Sequence, residues 1–222
     1  MKRFLRDNGL SIVVAALFLV TLAGHSVAGW MEHNEEQRAH GDAEVSYGGY
    51  VTSTDYGEAV FENWESEFLQ MGVYVLFTIF LFQRGSAESK DPDEEPKDRG
   101  AELEAHRHDP GAPGPVRRGG LALVLYKYSL VLAFFGLFLA SFVGHAVTGA
   151  GDYNAEQTMH GAPMISTAGY LATPRFWSES LENWQSEFLS VLAMVVLSIW
   201  LRADSSPESK PTWKPHRETG AD

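Results

Sequence analysis

The chain has 222 residues, a formal charge of −12, no cysteine and a mean hydropathy of −0.15. The absence of cysteine excludes disulfide bonds, thiolate metal sites and a cysteine nucleophile. The acidic charge argues against a nucleic-acid-binding surface, which needs basic patches. The mild average hydropathy conceals long uncharged apolar blocks, which alternate with strongly polar stretches.

Four segments are predicted to cross a membrane as helices. About 20 apolar residues span the hydrocarbon core of a bilayer, and the blocks that begin near Gly9 and Tyr128 are long enough. Two shorter apolar blocks follow the motifs ENWESEF and ENWQSEF, so these spans must begin inside the motifs. The predicted spans are residues 9–30, 64–83, 126–149 and 184–202.

The first block also has the features of a cleaved signal peptide. Lys2, Arg3 and Arg6 form a basic N-terminal region, and the SVA segment at 26–28 resembles a cleavage site. The third block has the same pattern in mid-chain, where no signal peptidase acts. This likeness favours a membrane span for both blocks.

The basic residues predict which side of the membrane each segment faces. The polar segments 32–62 and 152–182 contain only Arg38 and Arg175 as basic residues, whereas the N-terminus, the linker and the tail are rich in them. Because positive charges are retained on the cytoplasmic side, both termini and the linker are predicted to be cytoplasmic. Four spans fit that arrangement, and the lipid bilayer is the expected partner.

The chain contains an internal repeat with an offset of 120 residues. Of the 82 positions from 9 to 90, 30 are identical to the position 120 residues later. The matched motifs include GHSVAG with GHAVTG, NEEQRAHG with NAEQTMHG, and ENWESEFL with ENWQSEFL. Two spans in each repeat make the repeats parallel. The predicted fold is therefore an all-α bundle of four transmembrane helices.

The predicted domains follow from this repeat. They are repeat 1 (residues 1–90), a cytoplasmic linker (91–120), repeat 2 (121–210) and a C-terminal tail (211–222). The linker is rich in Asp, Glu, Pro and Gly and cannot bury an apolar core. The linker and the tail are therefore predicted to be disordered.

Each repeat is also predicted to carry a short extracytoplasmic helix. Asn34 and Gln37 have the spacing of a capping box, and Gly41 fits the C-cap of a helix of about two turns. The same pattern recurs 120 residues later. The next helix is predicted to begin after Ser53 in repeat 1 and after Thr173 in repeat 2.

Polar and ionisable side chains recur on one face of the predicted spans. A histidine lies in the first span of each repeat, and an asparagine and a glutamate spaced i, i+4 begin the second. Because an ionisable group facing lipid is costly, these side chains are predicted to face inward. The candidate polar site consists of His25, Asn63, Glu67, His145, Asn183 and Glu187.

Several interpretations of this site are open. The favoured one is a structural or interaction role, in which the polar groups hydrogen-bond between packed helices. The alternatives are a metal bound by histidine and glutamate, a haem held by His25 and His145, and a proton-linked or solute pathway used in transport or redox chemistry. The sequence assigns no cofactor.

Two further pairs are secondary metal-ligand candidates, namely Glu36 with His40 and Glu156 with His160. Their i, i+4 spacing equally gives a plain side-chain contact, and this reading is favoured because the spacing identifies no third ligand. The sequence has no phosphate-binding glycine loop, no GxSxG and no HExxH. We therefore predict no enzymatic activity and no catalytic residue.

The arrangement of NEEQxxHG, GY, ENWESEFLQ and GSAESK, followed by ENWQSEFLS and SPESK, resembles an uncharacterised family of bacterial membrane proteins. That family is classed as a domain of unknown function with the same duplicated four-span layout. The match covers Met1 to Gly220 apart from the linker. The resemblance implies an integral protein of a bacterial cytoplasmic membrane, and it carries no assigned activity or ligand. Helix packing allows a homo- or hetero-oligomer.

Overall fold

The computed structural model describes residues 2–94 and 98–220 of the chain. Within these residues the regular secondary structure is entirely helical, with 69% helix, so the predicted all-α class is confirmed. The helices, in chain order, are α1 (Lys2–Asp7), α2 (Gly9–His40), α3 (Tyr47–Val51), α4 (Thr54–Phe80), α5 (Arg99–His106), α6 (Gly114–Arg118), α7 (Gly120–Lys127), α8 (Ser129–Met159), α9 (Thr167–Tyr170) and α10 (Pro174–Leu197).

Two of the described helices, α2 and α8, are long and apolar enough to cross a membrane, which indicates membrane association. Large apolar side chains are exposed along both helices, as contact with lipid requires. The helices α4 and α10 overlap the other two predicted spans and do not meet the same criterion. The reason is that polar and acidic residues fill their first halves.

The predicted span boundaries differ from the helix ends in several places. The span 126–149 is interrupted at Tyr128, where α7 ends before α8 begins. The helices α4 and α10 end before the predicted limits at 83 and 202. Both begin earlier than the predicted spans, as the shortness of their apolar segments requires.

The chain divides into two compact units. The first unit comprises Met1–Phe61 and Gly144–Thr173, and the second comprises Glu62–Val143 and Pro174–Asp222. Each unit therefore draws on both halves of the chain. The division into two repeats at 1–90 and 121–210 does not coincide with these units and stays a prediction.

In the first unit, α2 runs without a break through Asn34 to His40, so the predicted separate helix beginning at Asn34 is wrong. The Asn34 side chain does not cap a helix. It receives a hydrogen bond from the Val45 backbone N–H at 2.8 Å and donates one to the Val45 carbonyl at 3.0 Å. Because the Asn34 side chain bonds to the Val45 backbone, it does not bond to the α2 backbone, and α2 continues past Asn34. Asn154 makes the same two bonds to Ile165.

The predicted end residues Gly41 and Gly161 and the predicted starts after Ser53 and Thr173 agree with the structure. Gly41 ends α2 in the left-handed conformation with φ of 80°, and Gly161 follows α8 with φ of 67°. Ser53 accepts a hydrogen bond from the Tyr56 N–H at the start of α4. The helix α10 begins with Pro174 directly after Thr173. The short helices that follow α2 and α8 are α3 and α9.

We expect Asn34→Ala to destabilise the protein. Asn34 is only 5% exposed, and its side chain makes two hydrogen bonds to Val45. At about 1 kcal/mol for each bond, the variant should lose about 2 kcal/mol of unfolding free energy in detergent. Glu35→Ala on the exposed side of the same turn is the control. A loss no larger than that of the control would contradict this role for Asn34.

Similar contacts occur at positions 120 residues apart in the first unit. The tyrosines of α3 and α9 pack against glycines of α2 and α8, where a Cβ atom would clash with the ring. The hydroxyls of the serines that precede α3 and α9 each accept a backbone N–H bond at 3.1 Å. The pairs are Tyr50 on Gly29 and Tyr170 on Gly149, and Ser46 with Gly49 and Ser166 with Gly169.

In the second unit, the later part of α4 contacts α10 through polar side chains. The Gln70 amide donates to the Ser190 hydroxyl at 3.2 Å and to the Glu187 carbonyl at 3.3 Å. Gly72 allows α8 to approach α4, because a Cβ atom there would lie 3.3 Å from the Phe134 Cβ. In this unit α4 therefore makes polar contacts with α10 and a close apolar contact with α8.

The linker and the tail carry local structure in their described parts. The linker contains α5 and α6. The tail is connected to earlier parts of the chain by hydrogen bonds of Lys210, which is 1% exposed. The Lys210 ammonium donates to the carbonyl oxygens of Gly85, His216 and Glu218. Residues 95–97 of the linker and 221–222 of the tail lie outside the described residues. The disorder predicted for both segments stays a prediction.

Candidate functional site

The beginning of α4 and the end of α8 approach closely in the first unit, and glycines permit this approach. A Cβ atom at Gly57 would lie 2.7 Å from the Thr148 Cγ2. A Cβ atom at Gly151 would collide with Thr54. The two helices therefore meet with little space between their backbones.

A buried acid, histidine and tyrosine lie together at this crossing. Glu58 is 7% exposed, and His145 and Tyr170 are 0% exposed. The Tyr170 hydroxyl donates to the Glu58 Oε1 at 2.9 Å. A carboxylate oxygen of Glu58 and a ring nitrogen of His145 lie within 4.8 Å of each other. We call Glu58, His145 and Tyr170 the acid–histidine cluster.

Gly149 gives the acid–histidine cluster its space. A Cβ atom at this position would lie 2.6 Å from the Tyr170 Cε1 and 2.8 Å from the Glu58 Oε1. Both distances are shorter than ordinary van der Waals contact, so any side chain here would displace the tyrosine or the carboxylate. Gly149, the last residue of the GHAVTG motif, therefore has a packing role.

The chemistry available to the acid–histidine cluster follows from its burial. An isolated ionised carboxylate or imidazolium is costly in a low-dielectric interior. A carboxyl and an imidazole together can hold one proton with no net charge, either as an ion pair or as two neutral groups. The Tyr170 hydrogen bond favours the ionised form of Glu58. A carboxylate and an imidazole are also ligands for zinc and iron.

The other predicted histidine, His25, has different surroundings. It is exposed, and its ring centroid lies 5.5 Å from that of Tyr56. Tyr56 contacts Tyr50 at 5.4 Å, and Tyr50 contacts His33 at 5.5 Å, so four rings form a chain. The His33 Nδ1 lies 2.9 Å from the Asp55 carboxylate. Burial, followed by the charge of Asp55, raises the pKa of Tyr50 to about 12, which keeps this phenol protonated.

The four predicted site residues of the second unit are less buried than the acid Glu65. Asn63 and Glu67 are exposed, and Asn183 and Glu187 are half-buried, with Asn183 donating to Glu62. The fully buried acid of this part of α4 is Glu65, which accepts a bond from the Trp184 indole at 3.0 Å. The assembly of the six predicted residues into one site stays a prediction.

The secondary candidate pairs Glu36 with His40 and Glu156 with His160 lie at the ends of α2 and α8. All four side chains are exposed. In each pair the histidine Nδ1 lies 2.9 Å from the carbonyl oxygen of the glutamate. The histidines thus contact the backbone of the last helical turn, where a carbonyl oxygen needs a donor. Whether these two pairs bind a metal stays a prediction.

Sequence reasoning missed Glu58 and Glu65 for an identifiable reason. The predicted site consists of residues that recur 120 positions apart, whereas Glu58 corresponds to Ser178 and Glu65 to Gln185. The available signal was helical spacing. Glu58, Glu62 and Glu65 follow at i, i+4 and i+7 on one face of a continuous helix.

Comparison with known proteins places the chain in a family without identifying an activity. A search of curated proteins and a search of solved structures each found no match. A family model described as "Domain of unknown function (DUF6766)" matches residues 1–221. This match covers nearly the entire length, and the chain therefore belongs to the family described as Domain of unknown function (DUF6766).

Proposed function

We propose that the protein is a multi-pass integral membrane protein of a bacterial cytoplasmic membrane, with both termini in the cytoplasm. Its four spans form a helical bundle built from a two-span unit used twice. Two helices apolar enough to span a membrane support this proposal. The similar contacts at positions 120 residues apart and the scarcity of basic residues in segments 32–62 and 152–182 also support it.

Reporter fusions test this topology. A reporter active only in the cytoplasm should function when fused after residue 90 or residue 220. A reporter active only outside the cytoplasm should function after residue 45 or residue 165. An extracytoplasmic C-terminus would contradict the four-span arrangement.

We propose that the acid–histidine cluster binds and releases a proton, so that the protein serves a proton-linked membrane process and is not an enzyme. The observation that carries this proposal is the placement of Glu58 and His145, both buried and within 4.8 Å. His145 lies on α8, one of the helices apolar enough to span a membrane. Ionisable residues at such positions are rare because they are costly, and they commonly mark proton relays.

The structure offers a reason why this pair would exchange a proton. With one proton between them, Glu58 and His145 have no net charge and a low cost of burial. Gaining or losing a proton creates a buried charge, so the energy of the pair depends on protonation. Because α4 and α8 pack closely at Gly57 and Gly151, a buried charge at this crossing would change the energy of their contact.

Proton flux into liposomes tests this function. Acidifying the outer buffer should acidify the lumen of liposomes that contain the wild-type protein, measured with an entrapped dye at clamped membrane potential. Glu58→Gln keeps the size of the side chain and removes the titrating group, so its flux should fall to that of empty liposomes. Glu35→Gln, which alters an exposed acid on α2, should keep the wild-type rate.

Equal flux in Glu58→Gln and wild type would contradict the proposal. That result would favour the structural or interaction role, in which the cluster only packs helices against each other. Partners in that role would be lipid and, through exposed apolar helix faces, further copies of the chain or other membrane proteins.

A metal site is a second candidate for the same residues. The oxygen of Glu58 and the nitrogen of His145 are close enough to ligate one ion. Elemental analysis of the purified protein would then find a transition metal in stoichiometric amount, and His145→Ala would lose it. A metal-free protein with proton flux would leave only the first candidate.

A further inference from the structure

An apolar groove lies between the later parts of α4 and α10 in the second unit. It has a volume of about 380 Å³, which is in the range of pockets that bind small molecules. Most of its lining side chains are apolar, and Phe77, Leu81 and Leu192 among them are more than half exposed. The apolar groove is therefore an open cleft in the helix surface and not part of the packed interior.

The apolar groove has dimensions that suit an acyl chain of one bilayer leaflet. Its α10 side extends from Phe188 to Val195, about 10 Å at the helical rise. Half of the hydrocarbon core of a bilayer is about 15 Å thick. These residues lie within the predicted span 184–202, so lipid chains are the apolar material next to the groove.

One edge of the apolar groove is polar and adjoins a second, charged cavity. Tyr74, Thr78, Glu88 and Ser89 line both of them. The charged cavity has a volume of about 690 Å³. An apolar site beside a charged one is the pattern that an amphiphilic molecule requires, with its chain in the first and its head group in the second.

The charged cavity indicates which head group would fit. Its lining contains one base, Lys90, and the acids Glu88, Asp91 and Glu94. The Lys90 ammonium donates to the Ile79 carbonyl at 3.1 Å, and a lysine has two further protons that can be donated to a phosphate. The excess of acids favours a cationic group beside that phosphate and disfavours a head group with net negative charge.

We propose that the apolar groove binds one acyl chain of a zwitterionic membrane phospholipid, whose phosphate contacts Lys90 and whose primary ammonium contacts the acids of the charged cavity. A primary ammonium donates hydrogen bonds to carboxylates, whereas a quaternary ammonium has no proton to donate. This lipid site rests on the proposed membrane location. It does not depend on proton binding by the acid–histidine cluster.

The apolar groove has a counterpart elsewhere in the second unit. All eight residues that α4 and the segment after it contribute to the groove have partners 120 positions later in the lining of a cavity of about 240 Å³. The partner of Phe82 there is Arg202, whose guanidinium donates to the carbonyls of Ser198 and Ile199. Because a guanidinium is a poor neighbour for an acyl chain, we expect one bound lipid per protein.

Native mass spectrometry of the full chain in detergent tests the lipid site. The protein is mixed with phosphatidylethanolamine, phosphatidylglycerol or phosphatidylcholine, all with identical acyl chains. One phosphatidylethanolamine should bind per protein, about fivefold more tightly than either of the other lipids, the ratio expected for one exposed ion pair.

A variant that fills the apolar groove tests the binding of the acyl chain. Leu192→Trp places an indole in the groove and should abolish binding of all three lipids. Leu189→Trp is the matched control, because Leu189 is 64% exposed on the same helix and does not line the groove. It should bind lipid as the wild type does.

A second variant tests the head group. Asp91→Asn with Glu94→Gln removes two of the acids from the charged cavity and should remove the preference for phosphatidylethanolamine over phosphatidylglycerol. Asp109→Asn with Glu102→Gln, which alters two exposed acids of the linker, should keep the preference.

Three results would overturn the lipid site. They are equal affinity of the wild type for the three lipids, equal lipid binding by Leu192→Trp and wild type, and a dimer without lipid, in which a second copy would occupy the groove. None of them bears on the proposed topology or on proton flux. A chain recovered in the soluble fraction without detergent would instead contradict the membrane location on which the site rests.

Discussion

Glu58→Ala should destabilise the protein by about 3 kcal/mol, the scale for removing one partner of a buried pair. The change removes the acceptor of the Tyr170 hydrogen bond and the acidic neighbour of His145. It also leaves a cavity in a part of the first unit where helices approach through glycine. Reversible unfolding in detergent micelles, followed by circular dichroism, measures the loss.

The control for this experiment is Glu35→Ala, which truncates an exposed acid on α2. Its unfolding free energy should stay within about 0.5 kcal/mol of wild type, as is usual for surface substitutions. Glu58→Gln should lie between the two variants, since its amide oxygen can still accept from Tyr170. A Glu58→Ala protein as stable as the control would show that the acid–histidine cluster is not part of the packed interior.

Gly149→Val should have the second large effect, a loss of about 3 kcal/mol from overpacking. Even a Cβ atom at this position would lie 2.6 Å from the Tyr170 ring and 2.8 Å from the Glu58 carboxylate. The tyrosine is fully buried and cannot swing into solvent without exposing its contacts. Thermal unfolding of the variant should therefore begin at a lower temperature than that of wild type.

The same helix provides a matched control for this substitution. Gly136 also lies on α8, and a Cβ atom there would meet no other atom within 4 Å. Gly136→Val should change stability by less than about 0.5 kcal/mol, because helix propensity favours valine slightly over glycine. Equal destabilisation by the two variants would contradict the steric argument and point to a general effect of valine on this helix.

The class of the fold and the glycines that follow two of its helices could be predicted because the determining interactions are local. Long uncharged apolar blocks predicted α2 and α8, and both are apolar enough to span a membrane. Gly41 and Gly161 adopt the left-handed conformation that other residues avoid, so their place at helix ends is evident from sequence.

Asn34 shows where local reasoning fails. Its spacing from Gln37 matches a capping box, and its side chain does satisfy backbone groups. Those groups belong to Val45, eleven residues away, and not to the first turn of a new helix. A capping pattern indicates that the asparagine side chain can bond to backbone groups. Which backbone groups it bonds to depends on the tertiary fold.

The acid–histidine cluster could be predicted only in part. The sequence predicts His145 because a histidine recurs 120 positions apart, and the cost of burying an ionisable group indicates an inward position. The position that corresponds to its acidic neighbour Glu58 is Ser178, so the sequence similarity at an offset of 120 gives no signal for Glu58. His25 and His145 have the same local sequence, yet one is exposed and the other is fully buried. The two histidines share a sequence motif and differ in their surroundings.

The most direct test of the proposed proton site is the distance between Glu58 and His145 in a lipid bilayer. Solid-state NMR with labelled glutamate and histidine should detect a correlation between the Glu58 carboxyl carbon and a ring nitrogen of His145, whose polar atoms lie within 4.8 Å. The correlation between Glu58 and the Tyr170 ring, joined by a 2.9 Å hydrogen bond, serves as the internal reference. Detection of both correlations is the predicted result. A clear Glu58–Tyr170 correlation without the Glu58–His145 correlation would contradict the shared-proton cluster.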